Sequence, residues 1–277
     1  MPVPSSAVAD AYARLTEVFP GLAVTEAGPG DSVPDGDGWT SGASLTAGGS
    51  GLDAFLAWDD AQVLRDYGTP ARPDVVASFG LHRYAWPACL LFTVPWFLHR
   101  RVPRLPVTHV SYDRAAGRMA VRPAAFACLP GDPAAALPGA RVVRDEEALR
   151  AELRSAVAEH LEPVLAGFGP RMRRRGRALW GMATDEVVEG LWYVAHLLGE
   201  QERAVRELEL LLPGATRPYV GSAAFRELTG PDGESLPTRD RASCCMFYTV
   251  RPDDLCVTCP RTRDADRIAK LTATAAG

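Results

Sequence analysis

RASCCMFYTVRPDDLCVTCP, residues 241–260, decides how the C-terminal part of this chain is built. Cys244 and Cys245 stand side by side, ten residues follow, and Cys256 and Cys259 then flank a two-residue spacer before Pro260. Four thiols this close together, in a chain with no visible export signal, point to metal ligation rather than to a pair of disulfides. Cys256-Val-Thr-Cys259 is a short chelate turn that can place two sulfurs on one metal ion. Cys244 and Cys245 are harder to use together. Neighbouring side chains of an extended strand point to opposite faces, so both can bind only if the backbone turns there. A two-iron cluster spreads its ligand sites over two metals and eases that demand. A single tetrahedral zinc tolerates it less well, because structural zinc sites usually use two separated chelate pairs. Neither the bacterial ferredoxin run nor the plant-type spacing is present, yet four thiols suffice for one [2Fe–2S] cluster. Zinc stays open on the residues alone.

Outward from this segment, the chain has 277 residues, enough for one large domain or two modest ones. Hydrophobic residues make up 47% and charged residues 23%, the composition of a globular protein with a real core. The net charge of −4 argues against a general nucleic-acid binder. Met1 to Ala13 shows neither a basic nor an apolar leader region, so the expected location is the cytoplasm, where thiols stay reduced. The longest apolar run, Tyr84 to Leu98, contains Pro87 and Pro95 and is shorter than the ~20 residues of a spanning helix. The basic residues His99, Arg100, Arg101 and Arg104 follow it, so peripheral contact with an anionic membrane is the alternative to the preferred reading, a buried core helix.

The patterning predicts a helix-rich α+β fold with small antiparallel β-hairpins. Residues 7–18 read as a short amphipathic helix and 26–51 as a long Gly/Pro/Asp/Ser loop. Helical spacing returns over 52–67, and a further helix starts near Pro73-Asp74 and enters the apolar run, with a kink expected at Pro87. Val107–Tyr112 and Met119–Arg122 frame a hairpin. Residues 129–140 form a Pro/Gly/Ala linker, the best boundary between an N-terminal α+β lobe, 1–140, and a helical lobe, 141–277. Asp145-Glu146-Glu147 opens a helix that Pro163 should kink and Gly167 to Pro170 should end. Another runs from about Met172 to Leu198 with a break expected at Gly181, and a third covers Gln201–Leu212. A second hairpin surrounds Gly230-Pro231-Asp232-Gly233. The cysteine-rich segment, 241–262, and a closing helix over 264–275 complete the chain.

Arg-Ala-Ser-Cys-Cys-Met-Phe-Tyr at 241–248, followed by Cys-Val-Thr-Cys-Pro at 256–260, resembles the terminal signature of the FhuF-type ferric siderophore reductases. Ala178-Leu-Trp-Gly181 is similar to a stretch of the same family. The resemblance implies a [2Fe–2S] cluster on Cys244, Cys245, Cys256 and Cys259, and an oxidoreductase that removes iron from hydroxamate-type ferric siderophores. Bite geometry favours Cys256 and Cys259 on one iron. Arg241 and Tyr248 match flanking positions, to contact the cluster or a partner, or simply to sit at the surface and pack. Asp253 and Asp254 beside the ligands would lower the reduction potential, since reduction adds negative charge.

Other residues read as structural. Cys89 and Cys128 are isolated and suit core filling. The five histidines are scattered, without a ligand pair. No Gly-x-Gly-x-x-Gly or Walker lysine signals a nucleotide or flavin, so electrons are expected from a separate carrier such as a ferredoxin or flavodoxin. Arg171, Arg173, Arg174, Arg175 and Arg177 form a basic cluster, read either as a solvated helix face or as a docking patch for that carrier. Two rivals to the reductase remain: a four-cysteine zinc protein serving interaction, and a [2Fe–2S] redox sensor.

Overall fold

The computed structural model describes residues 6–28 and 30–275. α1 (Ala9–Val18) leads to β1 (Ala23–Glu26), β2 (Trp39–Ser41), α2 (Gly42–Thr46) and α3 (Ser50–Tyr67). The expected long loop over 26–51 therefore contains a strand and a helix. The cause is local capping chemistry within a loop-like composition. Ser41 Oγ accepts from the Ser44 amide at 3.2 Å, and Asp35 accepts from both the amide and the hydroxyl of Ser41 at 3.0 Å.

α4 (Pro73–His99) carries proline in its first turn and runs without interruption through Pro87 and Pro95. It is apolar on nearly every side, as a helix buried all round must be. Leu90, Phe92, Trp96 and Phe97 are fully buried. No described helix is long and apolar enough to cross a membrane.

β3 (Arg101–Arg104), β4 (Val110–Asp113), β5 (Arg118–Val121), β6 (Ala125–Cys128) and β7 (Ala140–Val142) follow. The expected hairpin is β4–β5, with Val110 opposite Val121. The sheets are more than hairpins, however. One has the order β1-β5-β4-β2 with β1 parallel to β5, and another the order β3-β6-β7 with β6 parallel to β7. A parallel pair needs a crossover and leaves no turn signal between its strands.

α5 (Glu146–Met172) is capped by Asp145, whose carboxylate accepts from the Ala148 amide at 2.8 Å. It continues past Pro163 and through 167–170 to a left-handed Arg173. An interior proline costs about 3 kcal/mol. Burial of Leu161, Val164, Leu165 and Phe168 around it offsets that cost at ~1.5–3 kcal/mol per side chain. α6 (Gly176–Leu197) passes Gly181 unbroken, the break lying instead at 173–175. α7 (Gln201–Leu211), the hairpin of β8 (Phe225–Thr229) and β9 (Ser235–Arg239), and α8 (Asp264–Ala275) complete the chain. The fold is thus helix-rich α+β. α4 lies at its centre, packed on α3, α5 and α6, and the cysteines cluster near the C-terminus.

His160 of α5 is sealed in this core. Its Nδ1–H donates to the Leu105 carbonyl at 2.9 Å, leaving Nε2 to accept from the Tyr84 hydroxyl at 3.1 Å. Burial outweighs the Leu105 bond and holds its pKa down to about 4, against an ordinary 6.5. Between those two values the unfolded chain binds a proton that folded His160 refuses. Stability therefore falls on acidification through this window, by about 3 kcal/mol in total. The gap between wild-type and His160→Gln urea midpoints should narrow correspondingly as pH falls. A gap independent of pH would refute the neutral imidazole.

Candidate metal centre

The centre is built on α6. Asp185, Glu186 and Glu189 stand on a helix whose other inward residues are apolar apart from Thr184, and Asp185 and Glu186 are fully buried. Buried carboxylates require partners. Asp185 accepts from Arg239 Nη2 at 2.8 Å, the Ala242 amide at 2.8 Å, and the amide and hydroxyl of Ser243 at 2.9 and 2.8 Å. Glu189 accepts from Arg239 Nη1 at 3.0 Å and from the Thr258 hydroxyl at 2.8 Å. One carboxylate thus fixes the backbone just before Cys244. The other fixes the Cys256–Cys259 turn, and the buried Arg239 ties them together. None of these α6 residues was a sequence-level candidate. The available signal was three carboxylates on an apolar helix face.

The segment itself makes the turn that adjacent cysteine ligands need. Met246 is left-handed at φ 67°, a conformation that costs a non-glycine residue energy and collects at functional sites. There the Met246 amide donates to Cys244 Sγ at 3.4 Å, and the Phe247 amide donates to Cys245. In the second turn the Cys259 amide donates to the Cys256 carbonyl at 3.1 Å, and the Arg261 amide donates to Cys259 Sγ at 3.4 Å. The Arg261 side chain donates to Cys244 and lies 3.9 Å from the centre of the Tyr248 ring. Hydrogen bonds of this kind tune thiolate-ligated iron. Cys259 is buried, Cys244 and Cys245 are half-buried and Cys256 is exposed. Electrostatic coupling links Cys245 with Cys244 and Cys259, and Cys256 with Cys245 and Cys259. Burial raises the Cys245 thiol pKa, against the opposing pull of the Phe247 amide and Arg241.

A cavity of about 300 Å³ opens onto the sulfurs, lined by Cys245, Cys256, Arg241 and His82 beside Tyr67, Phe79, Arg83 and Phe247. Arg241 is nine-tenths buried, 3.6 Å from Asp185 and 3.5 Å from Glu189. Its Nε and Nη2 have no hydrogen-bond partner. Orphaned cationic donors beside thiols fit an anionic thiolate-ligated group. Among the described residues, no group of three or more His, Cys, Asp or Glu side chains is already placed to hold a metal ion. A [2Fe–2S] cluster takes two thiolates per iron.

Residues 241–261 match the FhuF 2Fe-2S C-terminal domain. This match is to a cluster-binding domain of a siderophore-iron reductase family, so it supports a [2Fe–2S] cluster and a redox role for the segment. No curated protein matches the chain. Outside the FhuF-type segment, Cys89 and Cys128 are buried. The 171–177 arginines lie at the α5–α6 junction, where Arg171 pairs with Asp53 at 2.5 Å.

Proposed function

We propose that this protein is a one-electron reductase of ferric siderophores of the hydroxamate type, releasing iron(II) in the cytosol. Cys244, Cys245, Cys256 and Cys259 hold the cofactor, and when bound it supplies a single electron at low potential, near roughly −400 mV for an all-thiolate cluster. The observation that carries the reading is the cavity that opens directly onto Cys245 and Cys256 within the matched segment. Tyr67, Phe79 and Phe247 wall it with apolar surface, and Arg241 places positive charge where negative charge gathers. Cys256 lies at the exposed edge, open to an external donor such as a ferredoxin or flavodoxin. The N-terminal part, 1–140, supplies one side of the cleft wall through Tyr67, Phe79, His82 and Arg83, and 141–277 carries the ligand segment.

The substrate chemistry follows from charge. Hydroxamate oxygens hold iron(III) far more tightly than iron(II), so one electron loosens the grip and frees the metal. The purified protein should be reddish-brown, contain equal iron and acid-labile sulfide, and show a rhombic EPR signal on reduction. Adding a ferric hydroxamate to the reduced protein should erase that signal and liberate iron(II) to a colorimetric trap. Colourless protein after anaerobic reconstitution would overturn the proposal, and so would a coloured protein that never transfers its electron to any ferric chelate.

A further inference from the structure

The cavity beside the cysteines does not end there. A second cavity, of about 310 Å³, shares His82 and Arg83 with it and continues past Trp58, Trp86, Tyr112 and Arg114. Apart from the cluster ligands Cys245 and Cys256 at one end, every charged side chain lining the two is a cation: Arg83, Arg114 and Arg241, together with His82, and no described carboxylate lines either cavity. The balancing carboxylates lie behind the walls. Asp59 is fully buried and is shared by Arg83, at 2.5 Å, and by Arg114 through both terminal nitrogens. Its approach to α4 uses Gly80, where an added Cβ would come within 2.9 Å of the Asp59 carboxylate. Glu186 is fully buried behind His82, with the two groups 2.8 Å apart. Burial opposes charging of that imidazole, but Glu186 outweighs it and raises its pKa above the ordinary value. Asp185 and Glu189 lie behind Arg241 and are shared with Arg239.

Two features follow. Two guanidiniums on one carboxylate leave excess positive charge on the Arg83–Arg114 side of the cleft. The cationic edges are also held on aromatic surface: the Arg114 guanidinium lies 4.6 Å from the Phe55 ring centre and 4.2 Å from that of Trp58. Such guanidiniums are fixed before any ligand arrives, and half-desolvated donors of this kind recognise oxyanions strongly.

We infer, on the reading of this protein as a siderophore-iron reductase, that the joined cleft is the substrate site and selects ferric chelates of net negative charge over neutral ones. A hydroxamate chelate carrying an extra carboxylate fits it, because the carboxylate can meet Arg83 while the metal-bearing end lies toward Cys245 and Cys256. A neutral trihydroxamate offers the cations hydrogen-bond acceptors but no counter-charge.

Gallium(III) chelates test this without electron transfer, since gallium keeps the charge and shape of iron(III) but is not reduced. Binding of three gallium chelates to the full holoprotein is followed by tryptophan fluorescence: a neutral trihydroxamate, a citrate-based dihydroxamate and a tris-catecholate. The citrate-based chelate should bind at least about tenfold more tightly than the neutral one, the effect of one favourable charge contact. Arg83→Gln should remove most of that preference by weakening the citrate-based chelate several-fold more than the neutral one, whereas Arg171→Gln, at the α5–α6 junction, should leave the preference as it is in the wild type. Preference for the catecholate alone would overturn the fit of carboxylates. Equal affinity for all three, or equal loss for charged and neutral chelates in Arg83→Gln, would overturn the charge selection. If Arg83→Gln fails to fold, salt decides in the wild type: the preference should shrink several-fold as the screening length falls, and a salt-independent preference sinks the inference. Failure of the reductase reading would show separately, as absence of the cluster or of transfer to any ferric chelate, with gallium binding unaffected.

Discussion

Replacing Asp185 by alanine should destabilise the protein by about 3–5 kcal/mol and strip it of iron. The carboxylate is fully buried and takes four hydrogen bonds, from Arg239, Ala242 and Ser243. Its removal leaves the buried Arg239 with only Glu189 as an anionic partner and frees two backbone amides with nothing to accept them. Breaking one side of a buried ion pair costs far more than the pair itself contributes, because the surviving charge stays desolvated. The local consequence is larger than the global one, since Ala242 and Ser243 are the residues that deliver Cys244 and Cys245. Asp185→Asn keeps the shape but loses the charge, and should fall between wild type and alanine in both urea midpoint and iron content. An alanine variant with wild-type midpoint and full iron would show that α6 does not hold the segment.

Cys256→Ser should abolish the visible absorption and the proposed reductase activity while leaving the fold standing. This site separates ligation from folding unusually well, because Cys256 is exposed and its side chain fills no core. Serine is nearly the same size and offers a hard oxygen where soft iron chemistry prefers sulfur. The far-ultraviolet spectrum should therefore be unchanged. Cys89→Ala provides the contrast: that thiol is buried in α4, so its loss should lower stability and keep the colour. A Cys256→Ser protein that is fully active with no cluster would defeat the assignment of chemistry to this segment.

How much of this was legible in the sequence varied with the range of the interaction. The Cys244-Cys245 and Cys256–Cys259 spacing is local, and it led to the segment that the family model matches. The helices over 52–67 and 201–212 and both hairpins were also readable, because caps, turns and periodicity lie within a few residues of what they control. Prolines misled. Pro163 and Pro170 are strong local stop signals, yet α5 runs through both because its buried face outweighs the lost hydrogen bonds. The parallel pairings of β1 with β5 and β6 with β7 join segments that no turn connects. The attachment of the cysteine segment was the least visible feature. Asp185 lies 58 residues from Ser243, and nothing near either announces the contact. The turn at Met246 also escaped notice, because methionine is not a residue that marks left-handed backbone.

The carboxylates that anchor the cysteine segment belong to a helix packed in the main core, and their positions owe nothing to iron. A molecule that has lost its metal to oxidation therefore keeps the template against which the tail was shaped. Repair becomes a matter of resupplying iron and sulfide to a short peptide already tethered in place. Damage at the redox centre need not condemn the rest of the polypeptide to degradation.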